Sequence, residues 1–213
     1  MGRRPRRWPF RAAVSGVAAV AVAAAAFGAW QVWGADWQAD RRATAASAQF
    51  RSSCSLDPGF SGGPDTAADG SVVADLTLPG TSTPWPVRVG VQDASLADGV
   101  GWYRQTAAPG EVGNMAVVGY RLGAGGAFDG ILSLNTGDTI RLETCFRRYT
   151  YTIEVAPRDL TVQPTDTWVL QAVPGQPAAM PTDSWLTLIA NQDISPSTDR
   201  AVGFARLTST SQR

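Results

Sequence analysis

Two sulfur atoms are the natural starting point for any chemistry in this chain. Cys54 and Cys145 are its cysteines, and none of its 213 residues is a histidine or a lysine. A thiol or a Ser/Thr hydroxyl is a weak nucleophile at its free pKa and needs a neighbouring base to react near neutrality. With imidazole and amine side chains both missing, Ser/His/Asp, Cys/His and Ser/Lys arrangements are excluded. Carboxylates remain as side-chain bases, and no pair of them stands out by spacing. Cys145 lies beside Phe146, Arg147 and Arg148, whose guanidinium groups would lower a thiol pKa, yet nothing there would reprotonate a leaving amine. Two sulfurs are also too few for a zinc site, so neither a metal nor another cofactor is expected. Asp65 and Asp69 are conceivable calcium ligands, but they read more simply as part of a solvated loop. The glycine-rich run from Leu122 to Gly126 lacks the Lys and following helix of a phosphate cradle.

The formal charge of zero conceals an asymmetry. Arg3, Arg4, Arg6, Arg7 and Arg11 open the chain with no acid among them, so the remainder is net negative. An acidic domain is a poor partner for nucleic acid. Residues 12–35, Ala12 to Ala35, carry no charge, and at about 1.5 Å per helical residue they are long enough to cross a hydrocarbon core of roughly 30 Å. Trp8 precedes this run and Trp30, Trp33 and Trp37 lie at its far end, as interfacial aromatic belts would require. The basic residues 1–11 then stay in the cytoplasm and everything after the span is extracellular. A cleaved signal peptide is the competing reading, with Ala46-Ser47-Ala48 as its small-residue site. Length favours the uncleaved, single-pass cell-membrane anchor. Either reading exports the bulk of the chain, where a disulfide between Cys54 and Cys145 is chemically permitted; two unpaired thiols are the alternative.

Residues 36–70, rich in Ala, Ser, Gly, Asp and Pro, show no sustained apolar period and read as a flexible extracellular stalk. From residue 71 to about 209 the pattern changes to short alternating runs punctuated by Gly, Pro, Asn and Asp. Strands are predicted at Val72–Leu78, Trp85–Val91, Met115–Tyr120, Thr139–Cys145, Arg148–Val155, Asp166–Val173, Trp185–Ala190 and Ala201–Leu207. In the fifth, Tyr149, Tyr151, Ile153 and Val155 alternate with polar residues, so one face should be buried. Eight strands in a segment of this length suggest an all-β, closed barrel with one core.

Several motifs, in order, resemble the class E sortases of actinobacterial and other Gram-positive cell surfaces. Gly99-Val100-Gly101-Trp102-Tyr103 and Ala108-Pro109-Gly110-Glu111-Val112-Gly113-Asn114 are similar to the approach to the family's catalytic-His strand. Leu134-Asn135-Thr136-Gly137-Asp138-Thr139-Ile140 resembles its Leu-x-x-Gly-Asp-x-Ile turn. Val162-Gln163-Pro164-Thr165-Asp166 and Val173-Pro174-Gly175-Gln176-Pro177 resemble the stretches around the next strand. Trp185-Leu186-Thr187-Leu188 and Asp199-Arg200-Ala201-Val202 resemble the last two strands, which carry the family's Cys and Arg. The resemblance implies an eight-stranded sortase barrel with short helical turns and a cysteine transpeptidase mechanism: thiolate attack on a C-terminal sorting signal, proton transfer by His, and an Arg steadying the substrate.

Departures fall on the working residues. Gly119-Tyr120-Arg121 stands where the family has Gly-His-Arg, and Asn191 ends Leu186 to Asn191 where the family has Cys. Arg200 alone keeps the family's identity. An amide is no nucleophile, and a phenol with a reference pKa near 10 stays protonated at pH 7. The expectation is therefore a catalytically inactive, membrane-anchored pseudo-sortase. Its groove at Tyr120, Asn191 and Arg200 would bind a sorting-signal peptide, or the protein would scaffold an active sortase. An active transpeptidase with a non-standard site and a purely structural envelope barrel are the alternatives.

Overall fold

The computed structural model describes residues 37–54, 66–81, 83–122, 126–192 and 198–213. Nine strands follow the first helix: β1 (Val72–Thr77), β2 (Trp85–Val89), β3 (Val100–Trp102), β4 (Gly113–Val118), β5 (Thr139–Glu143), β6 (Arg147–Val155), β7 (Thr161–Val162), β8 (Ser184–Asn191) and β9 (Arg200–Gln212). They hydrogen-bond in the order β6-β5-β1-β2-β3-β4-β8-β9-β7, and a further β6–β9 pairing joins the ends into a closed eight-stranded barrel with β7 attached outside the ring. β2–β3 and β4–β8 are parallel; the other neighbours are antiparallel.

Alternation fills the barrel. Tyr149, Tyr151 and Ile153 of β6 point inward to a core that includes Trp102, Met115, Phe128, Leu186 and Leu188. Val155 leaves that face and joins a second cluster, because the β6–β9 register shifts between Ile153 and Val155. This shift is a β-bulge, which turns the strand and re-aims the side chains beyond it. The second cluster lies outside the ring: Ile189, Val202 and Phe204 are covered by Val162, Trp168, Val169 and Leu170. β8 is consequently buried on both faces.

The segment expected as a strand at Asp166–Val173 is instead a 3-10 turn over Thr167–Leu170. Buried Asn114 of β4 explains it. Its Nδ2 donates to the carbonyls of Val169 (2.9 Å) and Gln171 (3.0 Å), while its Oδ1 accepts from Thr187 Oγ1 at 2.6 Å. Those bonds take carbonyls that a ladder would have used. The eighth place in the ring belongs to β3, whose glycine-interrupted sequence conceals it. A Cβ on Gly101 would lie 2.6 Å from the Gly90 carbonyl and 2.8 Å from Leu96 Cδ2, so close backbone approach demands glycine there.

The stalk expectation also needs correction. Residues 37–54 form a helix, α1, with Ala39, Ala43, Ser47 and Phe50 buried. Their spacing places them along one face, but three of the four are too small to give a visible hydrophobic period. Ala-rich composition favours helix over coil. Cys54, at the end of α1, is disulfide-bonded to Cys145 in the β5–β6 turn, with a Cα–Cα separation of 5.1 Å. Ala46-Ser47-Ala48 lie inside α1. The expected membrane span at 12–35 falls outside the described residues; among these no helix is long and apolar enough to cross a membrane.

Candidate active site

Three neighbouring strands bring the candidate positions to one end of the barrel. β4 runs parallel to β8 as far as Val118 opposite Ile189, and the next residue, Gly119, donates its N–H to the Ile189 carbonyl at 3.1 Å. Tyr120 therefore leaves β4 beside the end of β8, where Asn191 stands directly opposite Arg200 of β9. A glycine must precede Tyr120, because a Cβ on Gly119 would lie 2.9 Å from the Phe128 ring. Arg200 is also opposite Val162 of β7, so this outer strand borders the site.

Tyr120, Arg121 and Arg200 are each held by hydrogen bonds. The Tyr120 hydroxyl donates to Asp93 Oδ1 at 2.9 Å, the carboxylate coming from the short helix α2 (Asp93–Leu96). Burial, together with the bond to Asp93 and its negative charge, raises the phenol pKa above its ordinary value, so near neutrality Tyr120 stays protonated and serves as a hydrogen-bond donor. Asn191 is exposed, and its main-chain carbonyl accepts from Arg121 Nη1 at 3.1 Å; the same nitrogen donates to the Gln192 carbonyl. Arg200 Nη1 donates to the Asp199 carbonyl at 3.1 Å. The Asp199 carboxylate is held separately, by Gln163 Nε2 at 2.5 Å. Tyr103 lies near enough for the Arg200 charge to pull its phenol pKa down, though burial prevails and leaves it raised. Arg200, Arg121, Tyr120 and Asn191 thus provide hydrogen bonds and positive charge. No imidazole or thiol joins them.

Two of these participants had no role in the sequence reading. Arg121 follows Tyr120 in the quoted Gly119-Tyr120-Arg121 motif, and its grip on the β8 end depends on a strand neighbour that spacing cannot show. Asp93 arrives from a helix of four residues, below the length at which periodicity speaks.

Cys54 and Cys145 are far from this end. Cys145 lines a cavity of about 660 Å³ with Phe50, Gly110, Phe146 and Tyr149, and Gly110 accepts from Ser184 Oγ at the opposite end of β8 from Asn191. Eight residues of strand put roughly 23 Å between the ends. Because the chain's two cysteines are bonded to each other, Cys145 is not a free thiolate. Asp69, a conceivable calcium ligand, pairs with Arg104 at 3.1 Å; Asp65 and residues 123–125 of the glycine-rich run lie outside the described residues. No cluster of three or more metal-ligating side chains occurs among the described residues.

The sortase domain model matches residues 76–208, which spans β1 from Leu76 through most of β9. The chain belongs to the sortase family. Sortase E from Streptomyces avermitilis is 30% identical with a TM-score of 0.61, the alignment covering 68% of this chain and 93% of that one. The SrtA sortase of Actinomyces oris is 27% identical (TM-score 0.63; 68% and 84% covered). Sortase E1 from Streptomyces coelicolor, solved with a tripeptide in its active site, is 26% identical (TM-score 0.60; 68% and 92%). No curated protein sequence matches the chain. In this sortase, Tyr120, Asn191 and Arg200 meet at the ends of β4, β8 and β9, and the outer surface of β8 and β9 is roofed by the Thr167–Leu170 turn.

Proposed function

We propose that this protein is a class E-like pseudo-sortase, anchored in the cell membrane by residues 12–35, with its barrel outside the cell, binding C-terminal sorting-signal peptides without cleaving them. One observation carries the reading: the chain contains no imidazole or amine side chain, and its two cysteines are spent on a disulfide. Acyl transfer by the family's route needs a thiolate and a proton shuttle, and removing members of such a unit removes nearly all the rate. Tyr120 and Asn191 take the positions that the motif resemblance gives to His and Cys.

Peptide capture requires less. An extended segment laid along strand ends gains main-chain hydrogen bonds, and a guanidinium fork recognises carbonyls or a carboxylate. Arg200 supplies the fork and the Asn191 amide both donates and accepts. The tripeptide in the Streptomyces coelicolor active site supports a groove of this kind on a related barrel. A second reading, a structural barrel with a filled groove, is favoured by Arg121, whose guanidinium already bonds the Asn191 and Gln192 carbonyls.

Full-length protein in detergent, incubated with a sorting-signal peptide, is expected to yield neither thioester nor cleaved threonine product by mass spectrometry, and to bind the peptide saturably. Binding should weaken at least about tenfold on Arg200→Ala, the loss of a charged hydrogen bond or two. Turnover by the unmodified chain would refute inactivity; binding indifferent to Arg200→Ala would favour the filled groove.

A further inference from the structure

Away from the site, the contact between α1 and the barrel contains a conflict. α1 covers Asp75 of β1, whose side chain is 2% exposed. Neither of its carboxylate oxygens makes a hydrogen bond of good geometry; the buried Ser47 hydroxyl above it lies close enough to favour the ionised form, yet it is not aligned to donate. The nearest opposite charge is Arg51 of α1, with Nε 3.6 Å from Oδ2. Beyond it stand Arg213 and, with the wrong sign, Glu143, which is itself paired with Arg148 at 2.5 Å. A buried carboxylate without hydrogen bonds favours exposure to water, so docking α1 over Asp75 opposes itself. The apolar part of the contact is thin: Ala39, Ala43 and Phe50. Against this stands one covalent bond, Cys54–Cys145, at the very end of the helix. Both cysteines are partly exposed.

We infer that the Cys54–Cys145 disulfide is a reversible latch: oxidised, it holds α1 against the barrel; reduced by an extracytoplasmic dithiol, it lets α1 lift and hydrate Asp75. The chemistry is ordinary exchange. A reductant thiolate attacks one sulfur and breaks the S–S bond, and the departing cysteine thiolate takes a proton. The reductant's second thiol then resolves the mixed disulfide, leaving two protein thiols and an oxidised reductant. Phe50 and Cys145 both line the 660 Å³ cavity, so release of the latch also opens one of its walls.

Trypsin reads this directly, because α1 carries Arg41, Arg42 and Arg51 and a docked helix resists cleavage. In the full-length protein, dithiothreitol is expected to speed nicking at these three arginines about tenfold or more, while amide hydrogen exchange in the barrel strands β4 and β8 stays slow; reoxidation should restore resistance. Cys54→Ser should be nicked equally with or without dithiothreitol. Asp75→Asn, which removes the buried charge, should slow nicking of the reduced protein several-fold, an effect that a passive cross-link would not produce. Unchanged cleavage on reduction, loss of β4 and β8 protection along with α1, or indifference to Asp75→Asn would each overturn the latch.

Discussion

The two ends of the barrel differ in where their reactive groups have gone. At the Asn191 end, where the family's resemblance places its chemistry, the Tyr120 phenol is bonded to Asp93 and the Arg121 and Arg200 guanidinium groups to carbonyls. At the Ser184 end, the chain's sulfurs are joined to each other and a carboxylate is buried without hydrogen bonds. The first end is polar and cationic, with Gln192 Oε1 buried there without a hydrogen bond; the second buries its unpaired polar groups under a helix contact. Similarity of fold therefore says little about which end does work: a closed barrel holds strand ends in place whether or not a nucleophile sits on them.

The largest effect should come from returning chemistry to the Asn191 end. Tyr120→His combined with Asn191→Cys is expected to raise thioester formation with a sorting-signal peptide by about a hundredfold or more over background, with neither single change detectable by mass spectrometry, since nucleophile and base act as a unit. A single change as active as the pair would break the comparison. Next, Asn114→Ala would orphan the Val169 and Gln171 carbonyls. It should cost about 3 kcal/mol and lower Tm by about 10 °C, and it should loosen the roof over β8 while sparing the disulfide end. A smaller shift belongs to Asp75. Burial raises its folded pKa above 3.8, so the folded state favours the protonated acid. Its contribution to stability is full below that ordinary value and is lost as pH rises through the raised folded one. Denaturant titrations across this window should show a decline of about 1 kcal/mol that Asp75→Asn abolishes. Least of all, Tyr120→Phe should change stability by only about 0.5 kcal/mol, marking the Asp93 contact as local.

Strands with clean alternation were legible from residues alone. β6 announced its buried Tyr149, Tyr151 and Ile153, and the β8 and β9 segments were located to within a residue at their starts. What failed to show depended on neighbours distant in sequence. β3 was hidden because Gly101 answers to Gly90 and Leu96 rather than to any local preference. The Thr167–Leu170 turn read as a strand because its apolar residues do face a sheet, although Asn114 dictates their backbone. α1 read as coil because a stripe of alanines carries almost no hydropathic contrast. At the site, Tyr120, Asn191 and Arg200 were found by resemblance to a motif; Arg121 and Asp93 needed the folded neighbourhood to acquire a role.

β9 touches more of the molecule than any other strand, pairing with β8 and β7 in its first half and with β6 from Phe204 onward, and residue 213 beyond it bonds the Phe146 carbonyl at 3.1 Å. It is also the last of the nine described strands in chain order. Until it emerges, β6 and β8 wait with open edges, and Cys145 waits in a turn that has no finished wall behind it. The ring therefore cannot close until translation has passed residue 200, which makes the interval before closure the period of greatest exposure to aggregation and to wrong pairing.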